Sequence, residues 1–425
     1  MFLFDFNWEI QHFLNQFWLL INFCLLILAV TLAYLSYKNP IRAIGLTIIL
    51  LPSYLLRSKI GFLPITFLEV CIGITFFGWL AKRLKTKQQK NKIKYLGPIF
   101  LILTAASLSL LISPNPTAAA GLWKAYFVEP ILFFMVTVNT IKSKKDREII
   151  LWSLGISTLI ISILAIYQKF SGFGIAEASW MDPEKRRVTS IFTSPNAVGL
   201  YLGPIIAIYL GWVWTEIKNW KKTSLKLTII IPALTAMLFT VSQGTWLGIT
   251  AATVFLGFFG WNKKITSAIV LLATILILMF PTSRNLVWPI ITFQDAAGQN
   301  RLTLWHFGTN YLTDSPKNFF LGAGLFGFSK IQNQFREPLT MEPLLYPHNI
   351  ILNFWLEIGL LGLIAFGWLI IKFFKNGINR LKSDDRLITF GLMAAMITII
   401  VHGLIDVPYF KNDLSVLFWL IISLI

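Results

Sequence analysis

Apolar positions in this chain run in long unbroken blocks separated by short polar or basic breaks, rather than alternating with polar ones. A helix needs about 20 apolar residues to cross the hydrocarbon core of a bilayer. That ruler predicts spans at 16–37, 41–56, 62–81, 95–113, 123–141, 149–168, 191–215, 227–241, 246–261, 265–280, 348–374, 387–401 and 414–425. The block 41–56 is short, with Arg42 near its start and Pro52 near its end, so the count is twelve or thirteen. The expected fold is an all-α, polytopic transmembrane helical bundle.

Two segments between spans are long: 281–347 and, after it, 169–190. A structureless connection of such length is uncommon. Within the longer one, RLTLWHFGTNYL (301–312) has the spacing of a short amphipathic helix lying at the interface. A long, partly helical lobe is therefore expected there. No internal repeat is apparent.

Composition narrows the class. Only 13% of the residues are charged and 56% are hydrophobic, against about 25% charged in soluble domains. Soluble enzymes, nucleic-acid binders and secreted disulfide scaffolds are excluded, and no nucleic-acid partner is expected. The net charge of +18 reads first as topology: 24 of the 37 Lys and Arg residues fall at Lys38, Arg42 and the segments 82–94, 142–147, 218–226, 263–264 and 372–386. Basic loops stay in the cytoplasm, so 281–347 and 169–190 face outside. The N-terminus carries Asp5 and Glu9, has no basic residue before Lys38 and shows no signal-peptide pattern; it is expected outside and uncleaved. Cys24 and Cys71 lie in apolar blocks and form no disulfide or metal motif.

Chemistry is expected on the outer face. His348 stands in Tyr346-Pro347-His348-Asn349, where the proline suits a helix start. A neutral imidazole there can serve as general base for a hydroxyl, or simply hydrogen-bond a helix end. His306 is expected to pack along the amphipathic segment, and His402 to bond Asp406 four residues on. Arg187, Arg284 and Arg301 suit a diphosphate, because guanidinium binds phosphate through paired hydrogen bonds, or equally contact with anionic lipid headgroups. Arg186 is expected only to meet lipid headgroups. Glu69, Glu129 and Glu357 are carboxylates within spans; Glu357, nine residues after His348, lies on the opposite helix face, and Glu129 is expected to pair with an arginine or a backbone donor. The run Gly322 to Phe328 lacks the strand and lysine of a phosphate loop, so tight turns or a close backbone approach to a ligand are expected. Outer carboxylates are scattered without ligand spacing, so neither metal nor cofactor is expected.

Three of these segments together resemble the O-antigen ligase and polymerase family of bacterial polytopic membrane glycosyltransferases. They are Arg187 to Gly199 with Ser194-Pro195-Asn196, Arg301 to Trp305 with the glycine-rich Gly322 to Phe328, and Pro347-His348-Asn349 followed by Glu357-Ile-Gly. The likeness is strongest over 187–366. It implies a glycan donor on undecaprenyl diphosphate, diphosphate binding by Arg187 and Arg301, acceptor activation by His348, and support from Asn196, Asn349 and Glu357, without a metal. At Ser242-Gln243-Gly244 the family usually has Ser-Arg-Gly; here Gln243 can donate to a phosphate oxygen but cannot neutralise it, so Arg284 compensates or the donor is held differently.

The resemblance divides the chain into N-terminal helices (1–186), a ligase-like core with its outer loop (187–374) and C-terminal helices (375–425). The implied enzyme sits among the lipids of the bacterial inner membrane with its site facing the periplasm. It moves a glycan to lipid A-core or another glycan or lipid acceptor. The alternatives are an O-antigen or exopolysaccharide polymerase of the same family, or a lipid-linked glycan transporter.

Overall fold

The computed structural model describes residues 3–4, 16–61, 63–86, 93–217, 219–335, 344–382 and 385–425. Although 62–81 opens with the strand Leu63–Thr66, every predicted span coincides in large part with a helix. In chain order these are α1 (Trp18–Lys38), α2 (Pro40–Ile49), α3 (Phe67–Thr86), α4 (Leu96–Ile112), α5 (Pro116–Thr140), α6 (Lys144–Ser171), α7 (Pro195–Trp214), α8 (Trp220–Thr240), α9 (Gln243–Phe255) and α10 (Lys263–Met279). The long loop forms α11 (Pro281–Ile291), α12 (Ala296–Asp314), α13 (Pro316–Leu321) and α14 (Phe328–Phe335), followed by α15 (Ile350–Arg380), α16 (Arg386–Gly403) and α17 (Asn412–Ser423).

Among the described residues, seven helices are long and apolar enough to cross a membrane: α1, α5, α6, α7, α8, α15 and α16. The chain is thus a multi-pass helical membrane protein. The other predicted blocks also fold as helices, shorter or less apolar than these seven. Block 41–56 shows the cause: α2 ends at Ile49 and the chain tightens into a 3-10 turn, Leu51–Leu55, around Pro52. Proline lacks the N–H that would continue the helix.

Helix starts follow local chemistry. Asn115, Ser194, Asn219, Asn262, Asp295, Ser315 and Asn349 each accept a backbone N–H of the first turn through the side chain, and Ser143 and Asp146 form a reciprocal capping box. Such caps satisfy amides that have no partner inside the helix, a strict demand near lipid.

Charged contacts sort the bundle into two ends. At the basic end Lys82 Nζ reaches the Lys38 carbonyl (2.9 Å), Arg147 pairs with Asp385 (2.6 Å) and Lys226 pairs with Glu216 (2.7 Å). At the opposite end the lobe of α11 to α14 packs over the bundle. The lobe has a small core of its own, in which Leu304, Leu312, Phe328 and Ile331 meet Leu352 and Leu356 of α15. This end also holds an unpredicted three-stranded antiparallel sheet, in which Leu3–Phe4 pairs with Leu56–Ile60 and that strand with Leu63–Thr66. Beside it Lys124 Nζ lies 2.7 Å from Glu69 and 3.9 Å from Glu129, which accounts for two of the carboxylates in the spans.

The centre of the bundle is α7, α16 and α17, which are almost wholly buried, whereas α1 and α10 face outward. α7 and α16 cross at backbone contact. A Cβ on Gly391 would stand 2.8 Å from the Ile208 carbonyl oxygen, and one on Gly211 would stand 2.6 Å from Gly391 Cα. Small residues at such crossings let membrane helices pack closely. Gly391→Ala is expected to lose about 1–3 kcal/mol by overpacking, read as a lower thermal unfolding midpoint in detergent. Gly367→Ala, whose added carbon meets no atom within 4 Å, is expected to leave that midpoint unchanged.

Candidate functional site

Two parts of the chain converge on the turn 404–411 between α16 and α17. The first is the start of α15. Asn349 caps this helix, its Oδ1 accepting from Leu352 N (3.0 Å), while its Nδ2 donates to the Leu404 carbonyl (3.1 Å). Just before it, His348 takes a left-handed backbone conformation with φ +51°. Pro347 therefore lies ahead of the helix rather than opening it, contrary to the sequence expectation.

His348 Nδ1 sits 3.1 Å from Asp406 Oδ1; the imidazole is 30% exposed and the carboxylate only 6%. Asp406 Oδ1 also accepts from Val407 N at 2.8 Å. Burial raises the Asp406 carboxyl, but the adjacent His348 and its hydrogen bond, together with the Val407 amide, outweigh it and hold the group below the usual carboxylate range. An ionised carboxylate only accepts, so Nδ1 carries the proton and Nε2 is the acceptor of the neutral ring. The predicted His402 to Asp406 bond is thus replaced by one from His348. His402 instead packs its ring where a Cβ of Gly244 would stand.

The second part is α12. Arg301 Nε donates to the Ile405 carbonyl at 3.0 Å, one residue from Asp406. Its terminal nitrogens make no hydrogen bond to protein among the described residues. The same helix buries Leu304, Gly308 and Leu312, as the amphipathic pattern predicts. His306 is exposed and shares a 3.0 Å hydrogen bond with Asn310, so it does not pack as expected.

Gln243, the residue where the resemblance implies an arginine, donates from Nε2 to Asp295 Oδ2 at 3.0 Å. Asp295 Oδ1 in turn caps α12 by accepting from Gly298 N (3.1 Å). The amide thereby ties the start of α9 to the helix that carries Arg301. Gly244, the next residue, lies against His402. The chain thus brings Gln243, Arg301, His348 and Asp406 into one connected assembly.

Glu357 serves another part of this end. Its Oε2 accepts from Phe326 N at 2.7 Å, and no bond joins it to His348, which stands ahead of the helix rather than on its opposite face. α15 breaks immediately after it, at Ile358 (φ −130°, ψ 20°) and Gly359 (φ +71°, ψ 178°). The break frees the Leu356 carbonyl for Ala323 N (2.7 Å), and Ser113 Oγ of the segment after α4 bonds the Leu325 carbonyl (2.6 Å). The glycine-rich run is therefore a strap laid between α4 and α15. Gly322 and Gly324 turn it through φ +70° and +79°; there is no room for a Cβ on Gly322 beside the Trp355 and Leu356 carbonyls.

The remaining predicted residues lie elsewhere. Arg187 Nε donates to the Thr240 carbonyl (2.9 Å) and Nη2 to that of Val241 (3.3 Å), and its guanidinium stands 5.9 Å from the Trp180 ring centre. It closes the end of α8, two residues before Gln243. Arg186 is buried and donates to the carbonyls of Met181, Lys169 and Phe170, so it is a helix-terminating residue and not a headgroup contact. Asn196 is half-buried on the first turn of α7 and makes no hydrogen bond among the described residues. The Arg284 side chain, segment 336–343 and Asp5 and Glu9 lie outside the described residues.

Sequence reasoning weighed Asp406 only with its near neighbour and missed Asp295. Both act across more than 50 residues of chain. For Asp295 a signal existed, since an acidic residue ahead of Ala-Ala-Gly is a plausible helix cap.

The assembly combines a histidine of fixed tautomer, a guanidinium with unbonded terminal nitrogens and a neutral amide donor. That set can accept a proton from a hydroxyl and stabilise an anionic leaving group nearby. A protein of Rickettsia felis named "Putative polysaccharide ligase" is 38% identical over 92 residues, 20% of this chain and 22% of the relative. Another so named, from Rickettsia conorii, is 34% identical over 98 residues, 22% of this chain and 23% of the relative. The chain thus spans less than a quarter of the length of these curated relatives. The O-antigen ligase family model matches residues 227–367, a stretch that includes Gln243, Arg301, His348 and Glu357 but neither Arg187 nor Asp406. From α8 to the middle of α15 the chain is thus similar to the O-antigen ligase family, while the turn that follows α16 lies outside the matched stretch.

Proposed function

We propose that this chain is a glycosyltransferase that moves a glycan from undecaprenyl diphosphate to an acceptor hydroxyl at the outer face of the bacterial inner membrane. The observation that carries the reading is the pairing of His348 with Asp406 beside the Arg301 tether to Ile405. The positive-inside rule makes the basic end of the bundle cytoplasmic, so the turn 404–411 and the lobe face the periplasm.

In this mechanism His348 Nε2 takes the proton of the acceptor hydroxyl. The oxygen then bonds to the anomeric carbon, the bond from that carbon to the diphosphate breaks, and its electron pair leaves on the diphosphate. Arg301 binds the anion through its terminal nitrogens, and Arg187 adds positive charge from the end of α8. Gln243 contributes position rather than charge, because it holds the cap of α12 and hence the base of Arg301. Asn349 fixes the backbone from which His348 projects, Asn196 lines the start of α7, and Glu357 secures the strap. Arg284 belongs to the same proposed set by its place in the lobe. The developing charge falls on a diphosphate already faced by guanidinium, so the reaction as written needs no metal.

Reconstitution in liposomes with a lipid-linked glycan donor tests the reading. A single product shift that depends on a lipid A-core acceptor supports the ligase; an acceptor-independent ladder supports a polymerase of the same chemistry. Donor crossing the bilayer without any product would overturn both in favour of transport.

His348→Ala is expected to lower kcat by about 10²- to 10⁴-fold, the usual contribution of a positioned base. Asp406→Asn, which can impose the wrong tautomer on the ring, is expected to fall in the same range, with both variants expressed and monodisperse. Arg301→Ala is expected to lower kcat by about 10²-fold or more, as for loss of one preorganised donor to developing charge. Full activity in all three at normal expression would refute the assignment.

A further inference from the structure

Two pockets flank the turn between α5 and α6 at the basic end, and they differ in what their cations touch. In one, a cavity of about 270 Å³, Arg147 and Arg380 share Asp385 at 2.6 and 3.9 Å, and Arg380 also donates to the carbonyls of Leu424 and Ile425. Those guanidinium groups are already matched by carboxylate and carbonyl oxygens. The other, a cavity of about 370 Å³, is lined by Lys38, Lys82, Arg83 and Lys142. Among the described residues none of these four makes an ion pair.

The second pocket holds four cations against a single carboxylate. Its one carboxylate, Asp146, spends Oδ2 on the Lys142 and Ser143 amides (2.9 Å each) as the cap of α6. Lys82 Nζ is turned to the Lys38 carbonyl. Arg83 lies over Trp79, 5.0 Å from the ring centre, and its Nη2 is buried with no hydrogen-bond partner among the described residues. A buried guanidinium nitrogen without an acceptor is costly, and an anionic oxygen would relieve it. Trp79, Pro40 and Ile41 supply an apolar wall beside the cations. The pocket opens beside α1, a helix that faces outward along most of its length.

We propose that this cleft binds the phosphate of an anionic phospholipid headgroup, with Arg83 and Lys142 on the phosphate oxygens and the Trp79 wall against the glycerol. The shared chemistry is a phosphate anion. The position at the ends of the membrane helices beside an outward-facing helix favours lipid over soluble phosphate. Unlike a diffuse basic rim, the site is concave, holds a buried unbonded donor and joins polar to apolar lining.

The test uses the full-length protein in neutral detergent with equal phosphatidylglycerol and phosphatidylcholine, and reads bound lipid by native mass spectrometry. Wild type is expected to retain phosphatidylglycerol selectively. The double variant Arg83→Ala/Lys142→Ala is expected to retain it at least fivefold less, given about a fivefold contribution per basic group near a membrane surface. Lys263→Ala/Lys264→Ala, which removes two charges elsewhere at the same end, is expected to match wild type. Equal loss in both double variants, or none in either, would overturn the proposal. Arg83→Lys keeps the charge but not the planar fork; with a wild-type elution profile it guards against misfolding and is expected to show a partial loss. Inorganic phosphate alone is expected not to raise the thermal midpoint; a rise equal to that with phosphatidylglycerol would overturn the lipid assignment in favour of a soluble anion.

Discussion

A partly exposed imidazole and an almost wholly buried carboxylate, His348 and Asp406, join the start of α15 to the turn between α16 and α17. An ionised carboxylate at that depth is tolerable only with close donors, and here it has two, the ring Nδ1 and the Val407 amide. The same turn offers the Ile405 and Leu404 carbonyls to Arg301 and Asn349. Lobe and bundle are thus registered against one short peptide. The geometry of the proposed chemistry depends on that peptide more than on any one helix.

The second constraint is the scarcity of water. Main-chain polar groups at the edge of a bilayer must find partners within the protein, and much of the charge at the lobe end is spent on this. Arg186 bonds three carbonyls around the end of α6, and Arg187 bonds two at the end of α8. Glu357 holds an amide of the strap, while the strap returns Ala323 N to a carbonyl freed by the break in α15. Residues that read as ligand-binding charges from sequence are, in several cases, also closing backbone ends.

The positions of the helices were legible because continuous apolar blocks have few other uses. Their lengths were less so: hydropathy does not register the chain tightening at Pro52, nor that α10 has no buried residue. His348, Arg301 and the turn-forming glycines could be picked out by residue type and spacing. Their partners could not, since Asp406 and Asp295 act across folds of the chain and His348 occupies a left-handed conformation that is ordinarily a glycine's. Gln243 shows the limit most clearly. Read alone it is a lost charge; in the structure it is the link between α9 and the cap of α12.

The break at Gly359 also redraws the anatomy of α15. Leu352 and Leu356, on the turns before it, contribute to the core of the lobe together with Leu304, Leu312, Phe328 and Ile331. Those first turns are therefore as much the floor of the periphery as the top of a membrane helix. A graft that cut the lobe at residue 347 would remove a ceiling and leave its floor behind, exposing leucines that neither lipid nor the remaining bundle is shaped to cover. The natural unit of exchange between such proteins runs past the point where the apolar block begins.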